Sequence, residues 1–408
     1  MLHASIWRHR DLRIMLPARA VSAFGDDLVL LVLTLRVYSE GGGPWSITLL
    51  LLCATVPVVA LAPVAGRLVD SVPFGRLAIA TGLWQAACCA GLALVHPLWG
   101  VYALVVALQA GQVVSNPVWQ SLVPSIVEPE EIGRAVGLGQ ALSTVAAVAA
   151  PATAGLLVGT LGFGAPFVID AVTFVALAVA ATAIRATRVC PAAAGDAPAT
   201  EPAEAFSISK DALLRPLIVG VCALVLVGEV TNVVEVFLLR GTLGASTIVF
   251  GLVAAALAAG VVVGSVLAGR HVPDSTRAPR VALAALAIGV LLALAGLAPA
   301  IWMFAAAWAF LGVANGFVNV DASTLALSRT PESHRGRVMA SVNGLVRGSS
   351  LVAMLLGGVA GSLLGPRPTF VAAGSLMALV AVVLYRQLTT TPSAASGQTA
   401  AAPSAPPT

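Results

Sequence analysis

The sequence predicts an all-α membrane protein in which twelve transmembrane helices form two pseudo-symmetric halves of six. Three observations support this prediction. The 408 residues are 59% hydrophobic and only 10% charged, whereas soluble domains carry about 25% charged residues. Apolar runs long enough to cross a bilayer as helix recur along the chain. Polar residues and glycines of the first half recur in the second half at one constant spacing.

Each predicted helix is an apolar stretch of about 20 residues, the length that spans the hydrocarbon core. The stretches lie at 14–38, 46–69, 76–95, 98–122, 135–160, 165–185, 212–239, 246–268, 280–298, 301–324, 338–364 and 369–388. Glycine and proline inside them are tolerated in a membrane, where small residues let helices pack closely. The first stretch contains Asp26 and Asp27 and no small-residue cleavage site follows it. We therefore predict a retained helix rather than a signal peptide.

The predicted domains are an N-terminal six-helix half at 1–185 and a C-terminal six-helix half at 212–388. A cytoplasmic linker at 186–211, rich in Ala, Pro, Asp and Glu, divides the apolar helices six and six. The tail at 389–408 consists mainly of Ala, Pro, Ser and Thr. Such a composition cannot bury a core, so we predict a disordered cytoplasmic tail.

The distribution of basic residues predicts the orientation, because cytoplasmic loops of membrane proteins carry an excess of Lys and Arg. A cytoplasmic N-terminus places both termini in the cytoplasm and most of the 22 bases on that side. The prediction is a multi-pass protein of the bacterial cytoplasmic (inner) membrane. The bases on the cytoplasmic side are then Arg8, Arg10, Arg13, Arg67, Arg76, Arg134, Arg185, Arg188, Lys210, Arg215, Arg270, Arg277, Arg280, Arg329, Arg335, Arg337 and Arg386.

Several classes of function are disfavoured by the composition. The one lysine, Lys210, is followed by Asp211, so no phosphate-binding loop ending in Gly-Lys-Ser/Thr exists and ATP is not expected as the energy source. The five cysteines form no CxxC pair, and the five histidines lie in loops or at helix ends without an HExxH motif. The bases are spread along the chain rather than clustered. We therefore expect no enzyme, metal, cofactor or nucleic-acid partner, and a monomer.

An internal repeat appears when the chain is compared with itself at an offset of 203 residues. Two parallel six-helix halves related by an axis along the membrane normal form one of the known transporter architectures. This repeat therefore predicts two halves that rock against each other around a central site. The matched pairs are Asp26 and Glu229, Gly66-Arg67 and Gly269-Arg270, Asn116 and Asn319, Gly133-Arg134 and Gly336-Arg337, and Gly155 and Gly358.

Two loops carry a resemblance to a known family. Gly66-Arg67-Leu68-Val69-Asp70, followed by Gly75-Arg76, resembles the signature loop between helices two and three of the major facilitator superfamily. Leu122-Val123-Pro124 and the segment up to Arg134 resemble the helix 4–5 connection of its drug and siderophore exporters (drug:proton antiporters). The resemblance extends to about residue 388. It implies the major facilitator fold and secondary transport of a small molecule.

The sequence also departs from the family pattern. Ser71 replaces the usual base after Asp70. The glycine-rich antiporter motif of helix five is represented by Pro151 and Gly155, with alanine at other positions where glycine is usual. The resemblance implies a gating role for the loop acid, which would lie against the helix-eleven N-terminus and hold the outward-facing state together. The residues assigned to gating are Gly66, Arg67, Asp70, Gly75, Arg76, Pro151, Gly155, Gly336 and Arg337.

Carboxylates inside the predicted helices are candidates for proton coupling. An ionisable side chain in a spanning helix costs free energy unless it is paired or hydrated, so each one is a functional candidate. Asp26 and Asp27 lie about midway along the first helix, and Glu229 repeats Asp26 on the seventh. The alternative for Asp26 is a structural ion pair with Arg19 or Arg347.

Polar side chains on four other helix faces are candidates for a substrate cavity. They can hydrogen-bond a substrate or join helices to one another. For Glu235 the alternative to a cavity role is hydration near the outer end of its helix or a contact with Arg240. Arg347 requires a carboxylate or an anionic substrate group as its partner. The full set is Gln109, Gln112, Asn116, Asn232, Glu235, Asn315, Asn319 and Arg347.

These features favour proton-coupled efflux (antiport) of hydrophobic or amphipathic small molecules such as drugs. The predicted cavity has few charges and many aliphatic side chains, and only 5% of the residues are aromatic, which suits such a cargo better than a sugar. A facilitator or importer of the same fold, and a dedicated exporter of siderophores or natural products, are the alternatives.

Overall fold

The computed structural model describes residues 8–186, 214–270, 272–330 and 335–390, so most of the predicted linker and tail lie outside the described residues. The described chain contains fourteen α-helices, and a π-helical turn at Phe237–Thr242 continues α9. The helices are α1 Arg10–Ser39, α2 Pro44–Ala60, α3 Ala62–Ser71, α4 Phe74–Leu94, α5 Leu98–Gln120, α6 Val123–Ile126, α7 Pro129–Leu161, α8 Gly164–Ala183, α9 Leu214–Val236, α10 Thr247–Ala268, α11 Asp274–Leu297, α12 Ile301–Ser328, α13 Arg335–Leu363 and α14 Pro366–Thr390.

The membrane-spanning helices agree with the predicted twelve. Within the described residues, ten helices are long and apolar enough to cross a bilayer, and the bent pair α2–α3 makes an eleventh span. Helix α1 has more charged residues, but its 30 residues extend about 45 Å. It packs against α7 and α8 and completes a set of twelve. The all-α fold class is therefore confirmed.

The second predicted helix, 46–69, is not continuous. It is divided at Leu61 into α2 and α3, whose axes differ by 50°. Pro63 lies in the first turn of α3. Proline has no backbone N–H and its ring clashes with the carbonyl four residues earlier, which breaks a helix. Hydropathy along the chain is insensitive to such a break because both pieces are apolar.

The packing inside each half repeats in the other half. Helix α1 packs against α7 as α9 packs against α13, and α4 packs against α8 as α11 packs against α14. The contact between α2 and α5 corresponds to that between α10 and α12. These are the pairs that the 203-residue offset relates, so the sequence repeat is a repeat of structure.

Among the described residues, the extensive contacts between the two halves lie at one face of the molecule. We call the side where α1 begins the N-terminal face and the other side the opposite face. On the opposite face, α7 packs against α10 and α2 against α13, with the hydroxyl of Thr48 donating to the carbonyl of Met354 at 3.2 Å. Toward the N-terminal face, Gly66, Gly133, Gly344 and Gly348 have open space beside them. The structure is therefore open between the halves toward the N-terminal face.

Glycines determine how closely α10 and α12 approach. A β-carbon added at Gly312 would lie 2.2 Å from the carbonyl oxygen of Leu257, and one at Gly264 would lie 2.0 Å from that of Val313. Lipid gives little hydrophobic drive for helices to associate, so this close backbone contact supplies much of the van der Waals attraction between the pair.

We predict that Gly312→Leu separates α10 from α12 and destabilises the C-terminal half, by about 2 kcal/mol or more, as overpacking does. The apparent Tm of the detergent-solubilised protein should fall. Gly133→Ala is the matched control, because that glycine has open space around it and alanine favours helix over glycine. An unchanged Tm for Gly312→Leu would contradict the role of this contact.

Candidate functional site

A cavity of about 300 Å³ lies between the two halves, next to the contact of α7 with α10. The N-terminal half contributes the carboxylate of Asp27 and the hydroxyl of Thr34, and the C-terminal half contributes Asn232 and Glu235. The other lining side chains are apolar, among them Leu31, Pro151 and Phe250. The two halves thus present one carboxylate each to a shared, mainly apolar space.

Asp26 points into the N-terminal half and is not among the residues that line the central cavity. The side-chain amide of Gln112 donates to its carboxylate at 2.6 Å, and the amide of Gln85 donates in turn to Gln112 at 2.5 Å. Arg19 donates to Asn116 at 3.1 Å, and its charge also acts on Asp26. Gln112 and Asn116, two of the predicted cavity residues, therefore connect α5 to α1.

Asp170 on α8 lies beside this network. Its carboxylate is fully buried and accepts from the thiol of Cys89 at 3.2 Å and from the hydroxyl of Thr173 at 2.9 Å. A β-carbon at Gly25 would lie 1.9 Å from its Oδ1 atom. Glycine at that position therefore allows α1 and α8 to come close enough to bring Asp170 near Asp26.

A second cavity of about 290 Å³ lies inside the C-terminal half. Glu229, Asn315 and Asn319 line it. Asn232 donates to the Glu229 carboxylate at 2.6 Å, and Asn319 donates to Asn315 at 2.6 Å. The structure thus brings these four polar residues of α9 and α12 together in one place.

The two cavities are neighbours. Asn232 lines both of them. Trp308 lines the cavity of the C-terminal half, and its buried indole N–H is oriented toward the carboxylate of Glu235 without reaching hydrogen-bond geometry. Trp308 and Asn232 therefore form the partition between the space shared by the halves and the space beside Glu229.

The remaining predicted cavity residues are less engaged. Gln109 is half-buried on α5. Arg347 was expected to be a buried cation, but its side chain is exposed. The reason is that the halves are apart toward the N-terminal face, so this part of α13 borders the gap.

The residues assigned to gating occupy two places. Arg67, Asp70 and Arg76 are exposed around the end of α3 and the start of α4 at the N-terminal face, with Gly66 and Gly75 beside them. Helix α3 packs chiefly against α5. The side chains of Gly336-Arg337 lie outside the described residues. The expected contact of Asp70 with the eleventh spanning helix, which is α13, therefore stays a prediction.

Pro151 and Gly155 lie at the opposite face, where the halves touch. A β-carbon at Gly155 would lie 2.5 Å from the carbonyl oxygen of Thr247, and one at Gly251 would lie 2.3 Å from that of Pro151. Only residues without a side chain allow α7 and α10 to meet this closely. This contact closes the central cavity toward the opposite face.

Sequence reasoning missed an ion cluster at the N-terminal face of the C-terminal half. Asp321 of α12 is fully buried and pairs with Arg277 at 2.8 Å and with Arg280 at 2.5 Å. Arg280 also donates to the carbonyl of Ala268 at 3.1 Å. An aspartate near the end of an apolar run, facing two bases at the start of another, was the available signal. The bases were instead assigned to the water-facing loop.

The repeat shows what this cluster replaces. The positions 203 residues earlier are Phe74, Leu77 and Val118, and all three are buried in one apolar cluster with Trp119. The Phe74 and Trp119 rings are in edge-to-face contact at 5.2 Å. The same helix junction is therefore apolar in one half and ionic in the other.

The comparisons with known proteins agree with this architecture. The family model of the Major Facilitator Superfamily matches residues 15–277 and 218–407, and these two matches together cover nearly the whole chain. This chain belongs to the major facilitator superfamily. The resemblance noted in the loops is thereby confirmed, and both the family and the fold are those of membrane transporters.

Two relatives match this superfamily member over most of its length. It is 23% identical over 386 residues to an uncharacterised transporter of this type, YfiS of Bacillus subtilis, with 92% of each chain covered. It is 20% identical over 380 residues to macrolide efflux protein A of Streptococcus pyogenes, covering 90% of this chain and 93% of the relative.

The solved structures share the fold. A bacterial homologue of the human lysosomal transporter Spinster, in an inward-facing and unoccupied conformation, superposes with a TM-score of 0.71 at 15% identity, covering 94% and 97% of the two chains. A bacterial homologue of the iron transporter ferroportin, in an inward-facing state, gives a TM-score of 0.69 at 16% identity, covering 92% and 98%.

We predict that Asp321→Asn lowers the apparent Tm strongly, because it leaves two guanidinium groups without their counter-charge, a change that costs about 3–5 kcal/mol at a buried pair. The triple variant Arg277→Phe, Arg280→Leu, Asp321→Val installs the apolar residues of the first half and should recover most of that stability. A triple variant less stable than Asp321→Asn would contradict the structural equivalence of the two junctions.

We predict that Gly251→Leu separates α7 from α10 at the opposite face and brings the halves together at the N-terminal face. Spin labels at Ser125 and Ser328, in a background whose native cysteines are replaced by alanine, should report a shorter distance. Gly164→Leu is the control, since that glycine lies on the opposite face with open space around it. If the distance does not change in Gly251→Leu, this contact does not determine which face is closed.

Proposed function

We propose that this transporter is a proton-coupled exporter of hydrophobic or amphipathic small molecules that works by alternating access as a monomer. The observation that carries the proposal is the central cavity, which Asp27 of one half and Glu235 of the other line together with mainly apolar side chains. Carboxylates within spanning helices cost free energy unless they are paired or hydrated, so their presence beside a cavity indicates a function. Apolar walls with a few polar groups suit a lipophilic cargo.

The conformation fits one stage of such a cycle. We take the N-terminal face as cytoplasmic, in the inner membrane, from the distribution of bases. The cavity is then open to the cytoplasm and closed by the α7–α10 and α2–α13 contacts on the outside. A substrate would enter from the cytoplasm or the inner leaflet, and rocking of the halves would break these contacts and release it outside.

The proton would be carried by the acids of α1 and α9. Asp26 accepts from Gln112, an interaction between two helices that a rocking movement can break, so that a proton replaces the amide as the partner of the carboxylate. Asp27 already faces the cavity and would exchange a proton with bound substrate. Glu229 occupies the equivalent of Asp26 in the other half.

Export as the direction, and drug-like molecules as the cargo, are supported by the likeness to macrolide efflux protein A and by the loops that resemble those of drug exporters. A facilitator that moves the same substrates without protons is the second candidate. It is favoured if the acids of α1 serve only to hold α1 against α5 through Gln112.

The test uses purified protein in liposomes that contain a pH-sensitive dye, with lipophilic dyes and antibiotics added under an imposed proton gradient. We expect substrate-dependent proton movement for wild type and a signal at the level of protein-free liposomes for Asp26→Asn and Asp27→Asn. Glu40→Gln, whose carboxylate pairs with Arg36 at the far end of α1, is the control for loss of an acid. Substrate movement that is independent of the gradient and unchanged in Asp26→Asn would establish the facilitator instead.

A further inference from the structure

The equivalent acids of the two halves have different side chains around them. At the 203-residue offset Asp26, Gln112 and Asn116 correspond to Glu229, Asn315 and Asn319. In the first half the guanidinium of Arg19 binds Asn116 and supplies a positive charge near Asp26. The equivalent of Arg19 in the second half is Cys222, which lies on α9 two turns before Glu229 and therefore on the same face. The second half thus keeps the acid and the amides but has a small neutral side chain in place of the base.

The second half has a cavity beside its acid, Glu229. The cavity of about 290 Å³ in the C-terminal half is lined by Glu229, Asn315 and Asn319, and none of its lining residues among those described is basic. Asn232 donates one hydrogen bond to the Glu229 carboxylate, whereas a carboxylate can accept about four. When Glu229 is ionised, the cavity carries a negative charge with accepting capacity left over, in an apolar surrounding where an unpaired charge is expensive.

The walls indicate what kind of cation would fit. Apart from the acid and the amides, the lining is mostly aliphatic, with Trp308 as its aromatic member. A small inorganic cation such as Ca²⁺ requires six to eight oxygen ligands, and aliphatic walls cannot supply them. An organic cation needs only one counter-charge and gains from apolar and aromatic contact with the rest of its surface. The volume suits a small molecule or one end of a larger one.

We propose that the cavity of the C-terminal half binds the cationic group of an amphipathic substrate, with Glu229 as its counter-ion. This inference rests on the proposed function and names the substrate class as lipophilic organic cations. Asn315 and Asn319 add polar contacts, and Asn232, which lines both cavities, marks the way in from the space between the halves.

The test measures equilibrium binding of labelled tetraphenylphosphonium, a permanent cation, and of triphenylphosphine oxide, a neutral molecule of related shape, to the full-length protein in detergent. We expect wild type to prefer the cation. Glu229→Gln, which keeps the shape of the side chain, should weaken cation binding by about tenfold or more and leave binding of the oxide unchanged. Glu40→Gln removes an acid far from the cavity and should bind both probes as wild type does.

A second variant introduces a base at the position of the second half that is equivalent to Arg19. Cys222→Arg introduces the guanidinium that the first half has at Arg19, so it should compete with the probe for Glu229 and weaken cation binding as Glu229→Gln does. Combining Cys222→Arg with Glu229→Gln should then weaken binding no further than Glu229→Gln alone. Each variant is compared with wild type in its apparent Tm, so that loss of folding is recognised.

The proposal is overturned if Glu229→Gln binds the cation with wild-type affinity, or if wild type does not prefer the cation to the oxide, including the case in which it binds neither. The liposome assay separates this failure from failure of the proposed function. Movement of uncharged dyes with protons would uphold export while the cation site is rejected, whereas absence of any substrate-dependent flux would reject both.

Discussion

A polar or charged side chain within a bilayer must find its partner inside the protein, because lipid offers none. This constraint explains the placement of nearly every polar residue described above. Helix α1 carries Arg19, Asp26 and Arg36 through the membrane, and each is engaged by another helix. Arg36 is buried and donates to the carbonyls of Leu92 and Val95 at the end of α4, while pairing with Glu40. A cation is well placed there, because the end of a helix leaves carbonyls without intrahelical partners.

Because of the same constraint, the two repeated halves differ in where their charged side chains lie. At one helix junction the first half is apolar, with Phe74 against Trp119, and the second half has Asp321 between two arginines. At the central acids, the first half has the base Arg19 near Asp26, whereas the second half leaves Glu229 beside a cavity whose described lining contains no base. Each half therefore keeps the helix packing of the other while differing in where charge is stored and where space is left.

Close backbone contact is the complement of these polar interactions. Glycines hold α10 against α12 within a half and α10 against α7 between halves. The contact within a half joins helices that move together, and the contact between halves joins helices that must separate for the opposite face to open. Both rely on van der Waals attraction over short distances. Such contacts break without leaving a charged side chain unpaired, so an interface of this kind suits repeated opening and closing.

The sequence by itself determined the solvent of this protein, the positions of its helices, the six-plus-six repeat and the identity of its membrane-embedded acids. These features follow from hydropathy and spacing, which are properties of the chain read in order.

Only the tertiary structure decided which partner each polar group takes. Asp26 binds Gln112, 86 residues away, rather than pairing with Arg347, which is exposed beside the gap. Asp27, one residue further along α1, faces the space between the halves because successive helical residues differ by about 100° in direction. The break at Leu61, the Asp321 cluster and the closed opposite face likewise depend on which helix surfaces meet. That choice is made by packing across the whole fold, and no local pattern in the sequence records it.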